Sequence, residues 1–251
     1  MSKQIRFKIK RQADPSSNPY YEEFEIKWEP GLNVIAALMQ IQKNPITHGG
    51  KLTAPVTWDS ACLEEVCGAC TMIINGKVRQ ACSTLVDKIA PNGETITLEP
   101  MTKFPVVRDL MVDRSRLFES MKRVKAWIQL DGAHDLGPGP RYSQEQWVDR
   151  YDLSRCFTCG TCLEVCPQVN SKTKFIGAAP ISQARLMNLH PSGAMNKTER
   201  VEAIMGEGGV LDCGNAQNCV RACPKEIPLT TSLADMMRAA TKHAFTAWLK
   251  R

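Results

Sequence analysis

The chain has 251 residues, 43% of them hydrophobic and 23% charged, a composition typical of an ordinary globular protein with one or two domains. It contains no apolar run near the roughly 20 residues that span a bilayer, and its N-terminus lacks a signal-peptide core, so we expect a reducing cytosolic location where clustered cysteines bind metal rather than form disulfides. The formal charge of +6 comes without a concentrated basic stripe or interleaved aromatics, so nucleic-acid binding is not expected.

The first 105 residues predict a small α+β domain. Apolar residues alternate with polar ones over residues 5–9 and 24–28, which predicts two strands, and the polar stretch 11–19 between them predicts a hairpin loop. Asn33 is a suitable N-cap for a helix over Val34–Lys43. Thr71–Ile74 and residues 77–81 flank Asn75-Gly76, a dipeptide that favours a type I′ hairpin turn, and residues 95–98 predict one more strand.

Four cysteines in this domain predict a first iron–sulfur site. Cys62, Cys67, Cys70 and Cys82 have the spacing C-x4-C-x2-C…C of plant-type [2Fe-2S] proteins, in which a loop presents three sulfurs and a hairpin returns the fourth. Gly68 allows close backbone approach, so that N–H groups can stabilise the bridging sulfides. Structural zinc is the alternative, but zinc sites usually pair two C-x2–4-C knuckles and this group has one.

Apolar residues recur at helical spacing from 107 to 128, which predicts a long helix whose basic residues form a solvated face. We place the domain boundary near residue 105, so that the predicted domains are 1–105 and 106–251. Residues 132–140 include Gly137-Pro138-Gly139-Pro140, which predicts a linker.

The second domain is predicted to be all-α. Ser143 with Gln146 forms a capping box for a helix ending before Cys156, and further helices are predicted over 181–189, 198–205 and 231–248. The last helix carries an apolar stripe that is expected to lie in the core or at a subunit contact. This stripe comprises Leu233, Met236, Met237, Ala240, Ala244 and Trp248.

Two cysteine runs in this domain can be superimposed. Residues 156–167 fit C-x2-C-x2-C-x3-C-P, and residues 213–224 fit it except that Ala216 replaces the second cysteine. In this spacing the fourth cysteine of each run ligates the other run's cluster. The rule assigns a complete [4Fe-4S] set to Cys156, Cys159, Cys162 and Cys223. It leaves Cys166, Cys213 and Cys219, whose three thiolates predict a [3Fe-4S] cluster.

The remaining residues predict no substrate chemistry. The sequence contains neither a G-x-G-x-x-G fingerprint nor a Walker motif, and no Ser/His/Asp arrangement is specified. The four histidines lie far apart in sequence and are expected to be ordinary surface or hydrogen-bonded residues: His48, His134, His190 and His243. We therefore expect an electron-conducting subunit without catalytic residues, which takes electrons from one partner and gives them to another.

Together the three cysteine groups resemble the iron–sulfur subunit of succinate dehydrogenase and fumarate reductase over essentially the whole chain, including Phe104-Pro105-Val106 and Cys223-Pro224-Lys225. The resemblance implies a plant-type ferredoxin-like (β-grasp) domain followed by a bacterial-ferredoxin-like domain. It implies a flavoprotein partner with covalent FAD and a membrane-anchor cytochrome b subunit beside a quinone, on the cytoplasmic side of the bacterial plasma membrane. Electrons would pass from succinate through FAD and the [2Fe-2S], [4Fe-4S] and [3Fe-4S] clusters to quinone, or in reverse in a fumarate reductase.

The chain departs from ubiquinone-reducing members of that family at two positions. Those members carry a Trp and a His where this chain has Ser171 and Gly214, and only Pro167 matches, so Pro167 is the one candidate for quinone binding. Residues 166–170 and 175–179 resemble bacterial members that use menaquinone, haem b and a dihaem anchor. Two alternatives stay open: a carrier for another flavoprotein dehydrogenase, and a zinc-stabilised binding module.

Overall fold

The computed structural model describes residues 4–129 and 141–250. By its internal contacts the chain forms two compact units. The first comprises Met1–Arg114 and Phe157–Glu164, and the second comprises Ser115–Cys156 and Val165–Arg251. The predicted linker over 132–140 and His134 lie outside the described residues.

The first unit is built on a five-stranded mixed sheet in the order β2-β1-β5-β3-β4. Its strands are β1 (Gln4–Arg11), β2 (Tyr20–Lys27), β3 (Thr71–Ile74), β4 (Lys77–Gln80) and β5 (Ile96–Glu99). β1 pairs parallel with β5, and the other pairs are antiparallel. The sheet confirms the strands predicted from alternation and from the Asn-Gly turn, and with the helices it agrees with the α+β class.

Helix α1 (Val34–Lys43) covers the apolar face of this sheet. It begins where the Asn33 side chain accepts a hydrogen bond from the Ala36 N–H, so the predicted N-cap is confirmed. Its residues Val34, Leu38 and Ile41 are buried in one core with the inward residues of β1. A shorter helix, α2 (Val86–Ile89), follows the hairpin.

Two expectations for the edge of the first unit are wrong. The sequence predicts a loop at Arg11, but Arg11 ends β1 and is buried. The sequence predicts a helix from residue 107, but this segment forms the hairpin of β6 (Val106–Arg108) and β7 (Met111–Val112). The cause is a buried ion pair between Arg11 and Asp109, each 2% exposed. Since this pair ties the hairpin to β1, the first unit extends to Arg114, beyond the predicted boundary near residue 105.

The second unit is helical. Its helices are α3 (Ser115–Arg123), α4 (Gln144–Ser154), α6 (Ala178–Leu189), α7 (Lys197–Met205), α8 (Asn218–Ala222) and α9 (Leu229–Leu249), whereas α5 (Thr161–Glu164) belongs to the first unit. The Ser143–Gln146 capping box at α4 is confirmed. Helix α3 begins eight residues later than predicted (Ser115 rather than 107), and Lys125 lies in the left-handed region just beyond its end.

The apolar stripe of α9 leaves the core halfway along the helix. Leu233, Met236 and Ala240 are buried, whereas Ala244 is exposed and Trp248 is 69% exposed. The first half of the stripe is therefore core, as predicted. Among the described residues, none of the helices combines the length and apolar character that crossing a membrane requires.

The Arg11–Asp109 pair generates a stability prediction. Asp109 accepts hydrogen bonds from Arg11 Nε at 3.0 Å and from the N–H groups of Gln12 and Thr57 at 3.0 and 2.9 Å. We expect Asp109→Ala to lower the free energy of unfolding by about 3 kcal/mol, because Arg11 Nε and the N–H groups of Gln12 and Thr57 lose their buried acceptor, although Glu22 still pairs with Arg11 Nη1. Urea unfolding of the holoprotein measures the change.

The matched control is Glu23→Gln, which breaks the exposed Arg6–Glu23 pair at 3.8 Å. We expect a change within about 0.5 kcal/mol there, because solvent screens exposed pairs. Equal effects of the two substitutions would contradict the structural role given to Asp109.

Candidate iron–sulfur sites

The first cysteine group lies on a loop whose backbone is turned towards its sulfurs. Leu63, Glu65 and Gly68 have positive φ values of 63°, 60° and 71°. As a result the N–H groups of Glu64 and Val66 point at Cys62 Sγ, at 3.4 and 3.3 Å. The Ala69 N–H likewise donates to Cys67 Sγ at 3.4 Å. N–H donors directed at sulfur are the surroundings that a thiolate bound to an iron–sulfur cluster needs.

The hairpin returns the fourth cysteine to this loop. Cys82 lies two residues after the end of β4. The Ala81 N–H donates to the Cys70 carbonyl oxygen at 3.1 Å, so the ends of the hairpin hold Cys70 and Cys82 side by side in buried positions. The sequence predicted this return from the Asn-Gly turn. Cys70 and Cys82 are 3% and 5% exposed.

Cys62 and Cys70 of this group differ in the pKa of their thiols. The N–H donors of Val66 and Glu64 lower the pKa of Cys62 to about 7, whereas burial raises the pKa of Cys70 to about 12. A buried thiol of this kind becomes a thiolate when a cation binds it, since a coordinating thiol is deprotonated outright. The donor set therefore fits an iron-containing group that is open to solvent at Cys62 and enclosed at Cys70.

The three cysteines predicted for the [3Fe-4S] cluster meet in one recess of the second unit. Cys166, Cys213 and Cys219 line a space of about 390 Å³ that opens to solvent, and Ala216 lines it beside them. Burial raises the pKa of Cys219, as it does for Cys70. Asn215 and Gln217 have positive φ values of 52° and 59° on either side of Ala216. Three cysteines and an alanine at the position of the missing fourth cysteine therefore line one recess.

Side chains that the sequence did not identify hold this recess in shape. Arg116 donates to the carbonyl oxygens of Thr173 and Phe175, both at 3.3 Å, so it fixes the loop that follows Cys166. Asn218 Nδ2 donates to the Val165 carbonyl oxygen at 3.1 Å, which joins the two cysteine runs. The expectation that the basic residues of α3 form a solvated face is wrong for Arg116. Only its long-range contacts reveal this role.

The four cysteines predicted for the [4Fe-4S] cluster are divided between the two units. Cys159 and Cys162 belong to the first unit, and Cys156 and Cys223 belong to the second. In the first unit Thr161 Oγ1 lies 3.3 Å from Cys159 Sγ. Helix α5 ends on buried Glu164, whose carboxylate accepts from the N–H groups of residues 102 and 103 at 2.9 and 3.0 Å. The sequence did not single out Glu164.

The candidate quinone residue lies at the mouth of the three-cysteine recess. Pro167 is exposed and lines the recess together with Gln168 and Gly214. A Cβ atom on Gly214 would lie 2.6 Å from Gln168 Nε2, so the Gln168 amide occupies the space beside that glycine. Ser171 is exposed on the following loop.

Two of the described histidines pair with carboxylates, and the third is partly buried. His48 Nδ1 lies 3.3 Å from a Glu25 carboxylate oxygen, and His243 Nε2 lies 3.3 Å from Glu202. Burial lowers the pKa of His190, the third described histidine. Across residues 4–129 and 141–250, no three His, Cys, Asp or Glu side chains are grouped as ligands of a single metal ion.

Two protein families match the cysteine regions in turn. The family described as "2Fe-2S iron-sulfur cluster binding domain" matches residues 6–119, and the one described as "4Fe-4S dicluster domain" matches residues 152–227. The two matches define the class of protein, an iron–sulfur protein with successive two-iron and dicluster regions.

Known relatives extend over nearly the whole chain. The succinate dehydrogenase iron-sulfur subunit of Bacillus subtilis is 60% identical over 243 residues, covering 97% of this chain and 95% of the relative. The fumarate reductase iron-sulfur subunit of Wolinella succinogenes is 30% identical over 224 residues, covering 88% and 90%. A chain of the Mycobacterium smegmatis Sdh1 complex in the apo form has the same fold, with a TM-score of 0.81, 23% identity and 98% coverage of both chains.

The chain belongs to the family of succinate dehydrogenase iron–sulfur subunits. It transfers electrons through iron–sulfur clusters as one subunit of an oxidoreductase complex. The cofactors are of the expected types, [2Fe-2S], [4Fe-4S] and [3Fe-4S]. The resemblance inferred from the cysteine spacing is thereby confirmed.

The three-cysteine recess generates a second prediction. Ala216→Cys places a fourth thiol in the recess, so we expect the [3Fe-4S] cluster to convert towards [4Fe-4S] with a lower reduction potential, because an added thiolate brings negative charge. EPR spectroscopy of the oxidised complex measures the loss of the three-iron signal.

Ala216→Ser is the matched control, because a serine side chain is nearly as large as that of cysteine but supplies no thiolate. We expect this variant to keep the three-iron signal. Full intensity of that signal in the Ala216→Cys complex would contradict the assignment of Cys166, Cys213 and Cys219.

Proposed function

We propose that the eleven cysteines hold the three clusters in sets of four, four and three. Cys62, Cys67, Cys70 and Cys82 bind the [2Fe-2S] cluster. Cys156, Cys159, Cys162 and Cys223 bind the [4Fe-4S] cluster. Cys166, Cys213 and Cys219 bind the [3Fe-4S] cluster. The observation that carries this proposal is the recess with three sulfurs and the Ala216 methyl group, since a cubane with one missing ligand is what such a site accommodates.

The protein's own residues control the cofactors' one-electron chemistry through hydrogen bonding and burial. The N–H groups directed at Cys62 and Cys67 stabilise the more negative, reduced state, which raises the reduction potential there. Cys70 and Cys219 are buried, at 3% and 8% exposure, which limits the contact of their sulfurs with water. Transfer of one electron between clusters requires no proton transfer by a side chain of this chain.

Electrons enter and leave through partner subunits in this proposal. The plant-type ferredoxin-like domain receives them from a flavoprotein that carries FAD and oxidises succinate. The bacterial-ferredoxin-like domain delivers them to menaquinone at a membrane-anchor cytochrome b subunit with haem b, on the cytoplasmic side of the bacterial plasma membrane. Pro167, exposed at the mouth of the recess, is proposed to face the quinone. The relative with 60% identity supports succinate oxidation as the direction, with fumarate reduction as the alternative.

Isolation of the complex from membranes without oxygen tests this proposal. We expect a flavoprotein and a haem-containing subunit to accompany the chain, with about nine iron atoms per copy of it. We also expect succinate oxidation to exceed fumarate reduction in rate.

The chain produced without partner subunits is the control, and it should contain iron and sulfide but neither flavin nor haem. A colourless, zinc-containing chain would instead support the zinc-stabilised binding module. A faster fumarate reduction would reverse the proposed direction and leave the ligand sets intact.

A further inference from the structure

Gly68 brings the loop of the first cysteine group into backbone contact with Cys159. A Cβ atom on Gly68 would lie 2.6 Å from Cys159 Cα, 3.0 Å from Cys159 Cβ and 3.0 Å from the Phe157 carbonyl oxygen. All three residues belong to the first unit. Because real Cβ atoms do not approach backbone atoms so closely, any side chain at position 68 would push the two loops apart.

A buried hydrogen-bonded bridge holds this contact. Gln80 Nε2 donates to Thr71 Oγ1 at 3.3 Å and to Thr161 Oγ1 at 3.4 Å. Thr71 Oγ1 in turn donates to the Gly68 carbonyl oxygen at 2.8 Å, and Thr161 Oγ1 lies 3.3 Å from Cys159 Sγ. The three bridging side chains are only 1–3% exposed. One amide therefore connects the loop at Gly68 with the sulfur of Cys159.

Other glycines of the first unit have a positive φ, like Gly68, but have open space where a side chain would lie. Gly76 lies in the β3–β4 turn of the same unit with φ +73°, close to the +71° of Gly68, but no atom lies within 4 Å of its would-be Cβ. Gly31 and Gly93 also combine positive φ with open space. An alanine at Gly76 thus incurs the same backbone strain as one at Gly68 without displacing a neighbour.

We propose that Gly68 and Gln80 are positioning residues for electron transfer between the [2Fe-2S] and [4Fe-4S] sites. This inference rests on the proposed ligand sets, in which Cys67 and Cys70 flank Gly68 and Cys159 belongs to the neighbouring cluster. One electron lost by the two-iron site is the electron gained by the four-iron site, and no bond or proton changes at Gly68 or Gln80. Gly68 sets the distance sterically, and the Gln80 bridge maintains it.

The test measures the magnetic interaction between the two sites in the isolated complex. With both clusters chemically reduced, a nearby paramagnet speeds spin relaxation, so the microwave power that half-saturates the [2Fe-2S] EPR signal reports their separation. We expect Gly68→Ala to lower this power towards the value measured with the four-iron cluster oxidised. Gly76→Ala should leave it as in the unsubstituted complex.

Iron content and both EPR signals are measured in every sample, so that loss of a cluster is distinguished from a change of distance. Should Gly68→Ala fail to load both clusters, Gln80→Leu replaces it, and the same lowered half-saturation power is expected because the bridge is gone. If the tested variant contains both clusters in full and has the same half-saturation power as Gly76→Ala, the positioning role alone is overturned. Absence of either signal from the unsubstituted complex would overturn the ligand sets as well.

Discussion

Left-handed backbone between the cysteines is the constraint on which the cluster sites depend. Sulfurs that share one cluster must converge from a few residues of chain, and a regular helix or strand cannot direct three successive cysteines inward. Five of the nine described non-glycine residues with positive φ lie between proposed ligands: Leu63, Glu65, Thr158, Asn215 and Gln217. Such conformations are strained by about 1–3 kcal/mol each, and they persist only where the surrounding structure enforces them.

In each unit the surrounding structure supplies that enforcement from residues distant in sequence. In the first unit, Asp109 fixes the C-terminal end of β1 through Arg11, and the β3–β4 hairpin holds Cys82 beside Cys70. In the second unit, Arg116 holds the loop after Cys166 by its carbonyl oxygens. Rigid surroundings of this kind suit a one-electron carrier, since the sites then need little rearrangement when their charge changes.

Chemistry and local structure could be predicted from the sequence where the signal is short in range. The spacing within each cysteine group, the Asn75-Gly76 turn, the Asn33 cap and the Ser143–Gln146 capping box each depend on residues in one short stretch of chain. The missing cysteine at Ala216 could also be predicted, because residues 213–224 can be compared with the complete cysteine run at 156–167. These signals were sufficient for the α+β class, the cofactor types and the family.

Features that depend on distant contacts could not be predicted. The apolar spacing around Leu110 resembles a helix, but Asp109 pairs with a residue 98 positions earlier, and that pair favours a hairpin. The return of 157–164 to the first unit and the contact of Gly68 with Cys159 likewise leave no periodic trace in the sequence. Arg116 was indistinguishable from a solvated residue until its carbonyl partners were known.

Mössbauer spectroscopy of the complex labelled with iron-57 tests the division of the eleven sulfurs most directly, because it separates iron sites by cluster type and counts them. We expect three components, with iron in proportions of about two, four and three. Two four-iron components in the oxidised complex as isolated, or iron bound as single ions, would contradict it.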